Sequence, residues 1–306
     1  MAEAKHILSA KQYDPDQLDR IFRRTDHMAR SLENRGARYK LASRHAGQIV
    51  ATLFYEPSTR TRLSFESAAQ RVGAGVISTE NAREFSSATK GETLQDTIRT
   101  VDKYADLIVL RHHETGAAAE AAKVSRVPII NAGDGKGEHP TQALLDMRTI
   151  QTQKGRLEDL HVVIGGDLKH GRTARSLAQM LSMYPNNGIT FVSTPELGMG
   201  RDIKDHLKSH GTTYDETDDL HQALKDADVV YWTRLQKERL TDPALEAGFT
   251  IGQTALRCLP EDSIIMHPLP RVGEIEHEVD ADPRAVYFDQ VEYGLHVRMA
   301  VTDMLL

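Results

Sequence analysis

Short apolar runs alternate with amphipathic stretches through the first half of the chain. The apolar runs predict strands at residues 49–55, 76–78, 107–110 and 127–131. The stretches between them carry apolar residues at helical spacing and predict helices near residues 60–72, 92–104 and 117–124. Upstream, Asp14 followed by Pro15 has the pattern of a helix N-terminus. Strands that alternate with helices in this way are typical of a parallel sheet.

The second half of the chain repeats the alternation. It predicts strands at residues 161–165, 190–193, 229–232 and 264–266, and helices near residues 173–183, 203–209 and 220–227. A helical stretch at 139–153 joins the two series, and an amphipathic pattern covers 293–306. We therefore predict an α/β fold of two doubly wound domains with parallel sheets, linked by interdomain helices. The expected domains are residues 1–138, completed by a C-terminal helix at 289–306, and residues 139–288.

Composition narrows the class of protein. A chain of 306 residues is long enough for about two domains. No apolar run approaches the roughly 20 residues that span a bilayer, and the N-terminus has no signal-like apolar segment. The single cysteine, Cys258, excludes intrachain disulfides and cysteine-based zinc sites. A net charge of −6 argues against nucleic acid as the main partner. We expect a cytoplasmic protein without a membrane partner.

The segment Ser58-Thr59-Arg60-Thr61-Arg62 places two cations where a strand passes into a helix. A helix N-terminus carries about half a positive charge and exposed N–H donors, so a cation there is unfavourable by roughly 0.3–1 kcal/mol. A bound dianion would turn this penalty into an attraction, since hydroxyls, N–H groups and guanidiniums all suit phosphate oxygens. We call residues 58–62 the anion cradle. The alternative is an N-cap serine beside two solvated arginines.

Further arginines follow other predicted strands. Arg111 follows the strand at 107–110, Arg172 lies in a glycine-rich turn after 161–165, and Arg234 follows 229–232. Ligands of open α/β sheets bind at the carboxyl ends of strands. Each arginine alone is compatible with an ordinary surface position, but together they predict substrates with several negative charges. The glycines at 165, 166 and 171 do not form a dinucleotide fingerprint, which disfavours a dehydrogenase.

Three further segments carry candidate chemistry. His139-Pro140-Thr141-Gln142 opens the connecting helix, and its imidazole is either a helix cap or a donor to a carbonyl oxygen that gains charge. His267-Pro268-Leu269-Pro270-Arg271 is either an ordinary turn or a stiff loop with exposed carbonyls. A cis peptide before Pro270 is compatible with this segment, because an X–Pro bond lowers the cost of the cis form. The loop at 84–91 either delivers Lys90 to an anion or is a plain surface loop.

In this order, the motifs resemble the catalytic chain of the aspartate carbamoyltransferase family over nearly the whole length. The matching segments are residues 58–62, 90–93, 111, 139–142, 167–173, 233–239 and 267–271. The resemblance implies a transferase that moves the carbamoyl group of carbamoyl phosphate to the amine of L-aspartate, in pyrimidine biosynthesis. It implies neither a cofactor nor a metal. It also implies a homotrimer with active sites shared between subunits, and separate regulatory chains in some members.

The resemblance also assigns roles to residues. It implies that the phosphate is held by Ser58, Thr59, Arg60, Thr61, Ser86, Lys90 and Arg111. Thr61, Arg111 and His139 would polarise the carbamoyl carbonyl. The carbamoyl amide would be held by Gln142 and the carbonyls of Leu269 and Pro270. The aspartate carboxylates would be bound by Arg172, Arg234 and Gln236, with help from Lys90. Ser86 and Lys90 would come from a neighbouring subunit.

Two alternatives stay open at this point. Ornithine carbamoyltransferases share the first half, but typically carry His-Cys-Leu-Pro near the end and a Ser-Met-Gly loop. Here residues 267–270 are His-Pro-Leu-Pro, and no Ser-Met-Gly occurs. Arg234 and Gln236 suit an acidic acceptor, whereas the side chain of ornithine is cationic. A non-catalytic relative would be expected to lack anion-binding residues, and none is missing from the segments above.

Overall fold

The computed structural model of the chain describes residues 5–85, 91–135, 137–234 and 249–306. These residues form two compact units. Unit 1 takes the chain up to Leu144 together with Glu292–Leu306, and unit 2 takes Leu145–Val291. In the described ranges, no helix is long and apolar enough to cross a membrane.

Unit 1 begins with a capped helix. Asp14 accepts a hydrogen bond from the N–H of Gln17, and Pro15 occupies the first helical position, as the sequence predicted. The strands of this unit are Ile49–Phe54 (β1), Gly75–Glu80 (β2), Leu107–His112 (β3) and Ile129–Asp134 (β4). Its helices are Pro15–Glu33 (α1), Arg35–Leu41 (α2), Thr59–Arg71 (α3), Ala82–Phe85 (α4), Leu94–Val101 (α5) and Ala117–Val124 (α6), followed by Pro140–Lys154 (α7), which continues into unit 2.

Unit 2 continues the alternation of strands and helices. Its strands are His161–Gly165 (β5), Gly188–Val192 (β6), Thr213–Thr217 (β7), Val229–Trp232 (β8) and Ile264–Met266 (β9). Its helices are Arg172–Leu181 (α8), Arg201–Ser209 (α9), Leu220–Ala223 (α10) and Gln253–Cys258 (α11). The last helix, Asp289–Leu305 (α12), begins in unit 2 and ends in unit 1.

Both sheets are parallel, so the predicted fold class is confirmed. Within the described residues, the sheet of unit 1 has the order β2-β1-β3-β4 and that of unit 2 the order β7-β6-β5-β8-β9. Every predicted strand is present, with ends that differ by a few residues at most. The sequence missed β7, because its residues are largely exposed and lack an apolar pattern. Backbone pairing with β6 forms this strand.

Each sheet has an apolar core. In unit 1, Ala51, Ile108 and Ile129 lie in one cluster and are completely buried. In unit 2, Val163, Val230 and Ile265 pack with the fully buried indole of Trp232. Burying the isoleucine and valine side chains of these clusters stabilises the fold by roughly 1.5–3 kcal/mol each.

Helix α12 is fixed to unit 1 by charge as well as by packing. Met299 and Ala300 pack against Met28 of α1 and Leu41 of α2. The Asp303 carboxylate, whose side chain is only 1% exposed, forms ion pairs with Arg24 and Arg44, and it lies 2.9 Å from Nε2 of His45. These contacts join the last helix to segments near the beginning of the chain.

Strand β5 and strand β8 approach each other closely at their carboxyl ends. A Cβ atom on Gly165 would lie 2.0 Å from the ring of Trp232, which is far inside van der Waals contact. The ring cannot move away easily, because it is completely buried and its Nε1 donates to the carbonyl of Phe249 at 2.9 Å. Glycine at position 165 therefore allows the two strand ends to pack.

We predict that Gly165→Ala lowers the free energy of unfolding by about 1–3 kcal/mol, because the added methyl overpacks a rigid core. Urea unfolding followed by tryptophan fluorescence measures the change. Gly188→Ala is the matched control in the same sheet, since its Cβ would meet its nearest atom, Oγ1 of Thr213, at 3.5 Å. Equal stability of the two variants would contradict the packing argument.

Candidate active site

The carboxyl ends of β1 and β3 form the centre of the site in unit 1. These strands are neighbours in the sheet although β2 lies between them in the chain, so the connections that follow them diverge and leave a crevice. Phe54 pairs with Arg111, and the N–H of Tyr55 donates to the Arg111 carbonyl at 2.8 Å. Arg111 and the segment after β1 therefore meet at one edge of the sheet.

The anion cradle opens α3. Ser58 is the N-cap residue, and its side chain caps none of the helix N–H groups. Thr59, Arg60 and Thr61 form the first turn, where N–H groups without intrahelical partners are expected. Arg60 makes no hydrogen bond or ion pair with any other described residue. Arg60 is exposed as a whole, but nearby protein atoms remove part of the water around its guanidinium. This partial desolvation lowers the pKa of Arg60, because it disfavours the charged form.

Arg62 does not belong to the anion cradle, and this part of the sequence prediction is wrong. Its guanidinium forms ion pairs with Glu66 at 3.3 Å and Glu80 at 2.8 Å, and it also donates to Ser78. Glu66 is one helical turn further along α3, whereas Ser78 and Glu80 lie on β2. The side chain is therefore committed to joining α3 to the edge of the sheet. We keep residues 58–61 as the cradle.

Arg111 is held from two sides. Its Nη1 donates to the Ala132 carbonyl at 3.2 Å, and its Nη2 lies 3.2 Å from a carboxylate oxygen of Glu56. The side chain is 12% exposed, so the guanidinium is oriented but still accessible at one edge. Sequence reasoning missed Glu56. The sequence feature that could have identified Glu56 is its position two residues after the end of β1, at the same sheet edge as Arg111.

Next to Arg111, the ring of His112 lies between two other rings. It is 4.6 Å from Tyr55 and 4.3 Å from His113, centroid to centroid. Burial, followed by the electrostatic interaction with the neighbouring His113 ring, lowers the pKa of His112, so the His112 ring is neutral near pH 7. The N–H of Glu114 donates to Nδ1, which places the proton of the neutral ring on Nε2.

His139 and Gln142 lie at the start of α7 and are buried, at 4% and 8% exposure. The loop that leads to them from β4 is fastened by the Asp134 carboxylate, which accepts from the N–H groups of Gly116 and Glu138 at 2.8 and 2.9 Å. Nδ1 of His139 lies 3.5 Å from the Thr141 hydroxyl. Pro140 is the first residue of α7, as expected for a helix that starts with proline.

In unit 2, β5 and β8 are neighbours across the reversal of strand order. Arg172 is the first residue of α8, and the turn before it is organised by Asp167. One oxygen of this buried carboxylate accepts from both the backbone N–H and Nδ1 of His170, at 3.0 and 3.1 Å. On the neighbouring strand, Thr233 donates to the Gly165 carbonyl through its N–H and its hydroxyl, both at 2.9 Å. Arg234 follows directly and is exposed.

Leu269 and Pro270 follow β9, the next strand of the sheet, and are joined by a cis peptide bond. The cis bond that the sequence allows at this position is confirmed. Leu269 has a φ of +49°, a conformation that residues other than glycine adopt rarely. Three predicted site residues, Ser86, Lys90 and Gln236, lie outside the described residues.

Each unit therefore presents cations and polar groups at the carboxyl ends of the strands of its own sheet. Unit 1 offers hydroxyls, helix N–H groups and two guanidiniums, which suits a phosphate group. Unit 2 offers Arg172, Arg234 and the backbone carbonyls of a fixed loop, which suit carboxylates and an amide or amine.

Comparison with known proteins assigns both halves of the chain to one family. The family described as "Aspartate/ornithine carbamoyltransferase, carbamoyl-P binding domain" matches residues 5–152. The family described as "Aspartate/ornithine carbamoyltransferase, Asp/Orn binding domain" matches residues 158–305.

Relatives and solved structures match over almost the whole chain. Aspartate carbamoyltransferase 3, chloroplastic, of Pisum sativum is 51% identical over 98% of this chain and 77% of its own length. The aspartate carbamoyltransferase catalytic subunit of Methanocella arvoryzae is 48% identical over 99% of this chain and 98% of its own length. The catalytic subunit of M. jannaschii aspartate transcarbamoylase superposes with a TM-score of 0.92 at 43% identity, covering 99% and 98% of the two chains. Aspartate transcarbamoylase of Trypanosoma cruzi, in complex with carbamoyl phosphate and aspartate, gives 0.92 at 38% identity, covering 99% and 96%.

We predict that Arg60→Ala weakens binding of inorganic phosphate about tenfold or more, since a hydrogen bond to a charged group contributes roughly 1.5–3 kcal/mol. Isothermal titration with phosphate measures the dissociation constant. Arg62→Ala is the matched control on the same helix turn and should change this constant less than about twofold, because its guanidinium is bound to Glu66 and Glu80. A larger loss of affinity in Arg62→Ala than in Arg60→Ala would overturn the assignment.

Proposed function

The chain belongs to the family of aspartate/ornithine carbamoyltransferases, and we propose that it transfers the carbamoyl group of carbamoyl phosphate to the amine of L-aspartate. The products are N-carbamoyl-L-aspartate and phosphate, and the reaction is a step of pyrimidine biosynthesis. Support comes from relatives named aspartate carbamoyltransferase that are 41–51% identical over nearly the whole chain.

One observation carries the choice of acceptor. Arg172 and Arg234 follow β5 and β8, two strands that pair directly from Val162 opposite Val229 to Gly165 opposite Trp232. Two guanidiniums at neighbouring strand ends fit an acceptor with two carboxylates, because each can bind a carboxylate through paired N–H donors. Gln236 is proposed to assist them. The side chain of ornithine is a cation, and placing it near the same arginines would be repulsive.

Unit 1 is proposed to bind the phosphate of carbamoyl phosphate. Ser58, Thr59, Arg60 and Thr61 supply hydroxyls, a guanidinium and the N-terminal N–H groups of α3. Arg111 adds a second guanidinium on the neighbouring strand, and an incoming phosphate competes with Glu56 for it. The phosphate thereby neutralises Arg60, which has no partner of its own among the described residues.

The reaction is an attack by the neutral amine of aspartate on the carbamoyl carbon. A C–N bond forms, negative charge develops on the carbonyl oxygen, and the C–O bond then breaks with its electron pair passing to phosphate, which also accepts the proton lost by the amine. Thr61, Arg111 and His139 are the proposed donors to that oxygen, and one well-placed donor contributes about 3–4 kcal/mol. Holding the two substrates in contact supplies a further large share through proximity.

We also propose that the active unit is a homotrimer with shared active sites, to which a neighbouring subunit contributes Ser86 and Lys90. Leu63 is 52% exposed and lies one turn after Arg60 on the same side of α3. Ile77, on the edge strand β2 beside this helix, is 41% exposed. A second copy that covers these apolar side chains would border the anion cradle, which supports a site completed by a neighbour.

We predict that the purified protein forms carbamoyl aspartate from carbamoyl phosphate and L-aspartate, and no citrulline from L-ornithine. The reason is the charge of the acceptor, which the two arginines select. A colorimetric assay for the ureido group, with each amino acid in turn, measures both products. Citrulline without carbamoyl aspartate would overturn the acceptor assignment, and neither product would favour a non-catalytic relative.

Shared sites predict complementation between inactive variants. Arg60→Ala should lose several orders of magnitude in turnover, and Lys90→Ala should also be strongly impaired. Mixed trimers made by refolding the two variants together should regain activity, because some of their sites combine Arg60 of a Lys90→Ala chain with Lys90 of an Arg60→Ala chain. Mixtures that stay as inactive as the separate variants would place both residues of each site in one chain.

A further inference from the structure

The N-terminal segment of unit 1 is fixed along β4, the last strand before His139. The N–H of Ile7 donates to the Ile129 carbonyl at 2.8 Å, and the Ile7 carbonyl accepts from the N–H of Asn131 at 2.7 Å. The side-chain amide of Asn131, which is 1% exposed, donates to the Leu8 carbonyl at 3.0 Å. Residues 7 and 8 therefore lie against the strand whose carboxyl end leads into the loop before α7.

Directly after this segment, Ser9 and Ala10 bind the carboxylate of Glu138. The Ser9 hydroxyl lies 2.8 and 2.9 Å from the two oxygens of Glu138, and the N–H of Ala10 donates to Oε2 at 2.5 Å. The N–H of Lys11 can only donate, and it lies 3.0 Å from the Ser9 oxygen, so the hydroxyl proton is left for Glu138. We call Ser9, Ala10 and Glu138 the Glu138 clamp. All three residues lie in unit 1, although Ser9 and Glu138 are 129 positions apart in the chain.

The Ser9 end of the clamp is itself held in place. Ser9 is the N-cap of a short 3₁₀ helix, Ala10–Gln12. The Gln12 side chain accepts from the N–H groups of Leu8 and Ser9, at 2.8 and 3.1 Å, and so forms a capping box. Glu138 is thus bound to a group whose own position is set by several hydrogen bonds.

The backbone of Glu138 is held from the other side by Asp134. The N–H of Glu138 donates to Oδ1 of Asp134 at 2.9 Å, and Oδ2 accepts from the N–H of Gly116 at 2.8 Å. His139 follows directly and is 4% exposed. Its carbonyl accepts from the N–H of Ala143 at 3.2 Å, which begins the hydrogen bonding of α7. The residue before His139 is therefore fixed through both its backbone and its side chain.

The contacts of Glu138 are of a kind that fixes position. Among the described residues, its carboxylate forms no ion pair, and its partners are a hydroxyl and a backbone N–H. Hydrogen bonds weaken steeply when the donor turns away from the acceptor, whereas the attraction between two charges tolerates many arrangements. The clamp therefore specifies a geometry for the start of α7 and does not simply neutralise a charge.

We propose that the Glu138 clamp positions His139, so that the imidazole can donate to the carbonyl oxygen of the carbamoyl group. The inference rests on the proposed function, in which His139 is one of three donors to that oxygen. Glu138 and Ser9 do not contact substrate in this scheme and act only through His139. Their position matters because a displacement of about 1 Å from the productive geometry can slow a reaction about a hundredfold. The N-terminal segment is thereby part of the framework of the active site.

The test is a double-mutant cycle on the whole chain, measured with the carbamoyl aspartate assay. We predict that Glu138→Ala lowers kcat about tenfold, because His139 keeps its place in the chain but loses one of its two anchors. His139→Ala should lower kcat about a hundredfold or more. Adding Glu138→Ala to His139→Ala should cost less than about twofold further, since a positioning residue has no effect without the group that it positions. Isothermal titration with inorganic phosphate should show less than about a twofold change in Glu138→Ala, because α3 keeps its contacts.

Two further variants separate geometry from charge. Glu138→Gln removes the charge, but its amide oxygen can still accept from the N–H of Ala10, so kcat should stay within about twofold of the wild type. Ser9→Ala keeps the charge and removes the hydroxyl that touches both carboxylate oxygens, so it should lower kcat about three- to tenfold. Ser9→Ala also takes the place of Glu138→Ala in the cycle if the latter variant does not fold.

Asp102→Ala is the matched control in unit 1. The Asp102 carboxylate belongs to a residue that is 6% exposed, and it accepts from the N–H of Arg126 at 3.3 Å, ahead of β4 and so at the opposite end of this strand from Glu138. Its removal also loosens a loop that is bound to a carboxylate. It should leave kcat within about twofold of the wild type, because His139 keeps both anchors.

Each outcome decides between these readings. A loss from Glu138→Ala that is equally large with and without His139 overturns the inference, because the clamp then acts through another group. Glu138→Gln as slow as Glu138→Ala overturns it too, as does a wild-type rate in both Glu138→Ala and Ser9→Ala, or an equal loss in Asp102→Ala. A wild type that forms no carbamoyl aspartate overturns the proposed function together with the inference. A loss in the clamp variants that disappears in the His139→Ala background supports the proposal.

Discussion

Parallel pairing between strands that are not consecutive in the chain is the constraint on which the site depends. β1 pairs with β3, and β5 pairs with β8, so the connections after the paired strands leave in different directions. The edge between them stays open, and backbone N–H groups at the start of a helix point towards it. The chemistry of each unit follows from which side chains occupy these few positions.

Electrostatic surroundings distinguish arginines that occur in the same short segment. Arg60 and Arg62 are two residues apart, yet Arg62 is neutralised by Glu66 and Glu80, whereas Arg60 has no such partner in the described part of the chain. A protein with a net charge of −6 can thus contain a guanidinium that no carboxylate of the described residues neutralises, because the potential at each position depends on local charge. Arg111 is in a third situation, since its guanidinium is paired with the Glu56 carboxylate at the same sheet edge.

Much of this arrangement could be predicted from the sequence. Apolar runs identified the buried strands, and motifs after them identified Arg111, Arg172 and Arg234 as residues at strand ends. The sequence did not predict the features that depend on contacts between distant segments. Thr213–Thr217 has no apolar pattern and becomes a strand through pairing with β6. The partners of Arg62 lie on another element, and Asp146 meets Gln290 across 144 positions of sequence. Local patterns contain no information on such distant contacts.

The two ends of unit 1 are separated in the chain by the whole of unit 2. Asp303 and Met299, which pack against α1 and α2, are therefore synthesised long after the segments they contact. The packing of unit 1 therefore needs a segment that is synthesised after residues 145–291, although most of this unit precedes them in the chain.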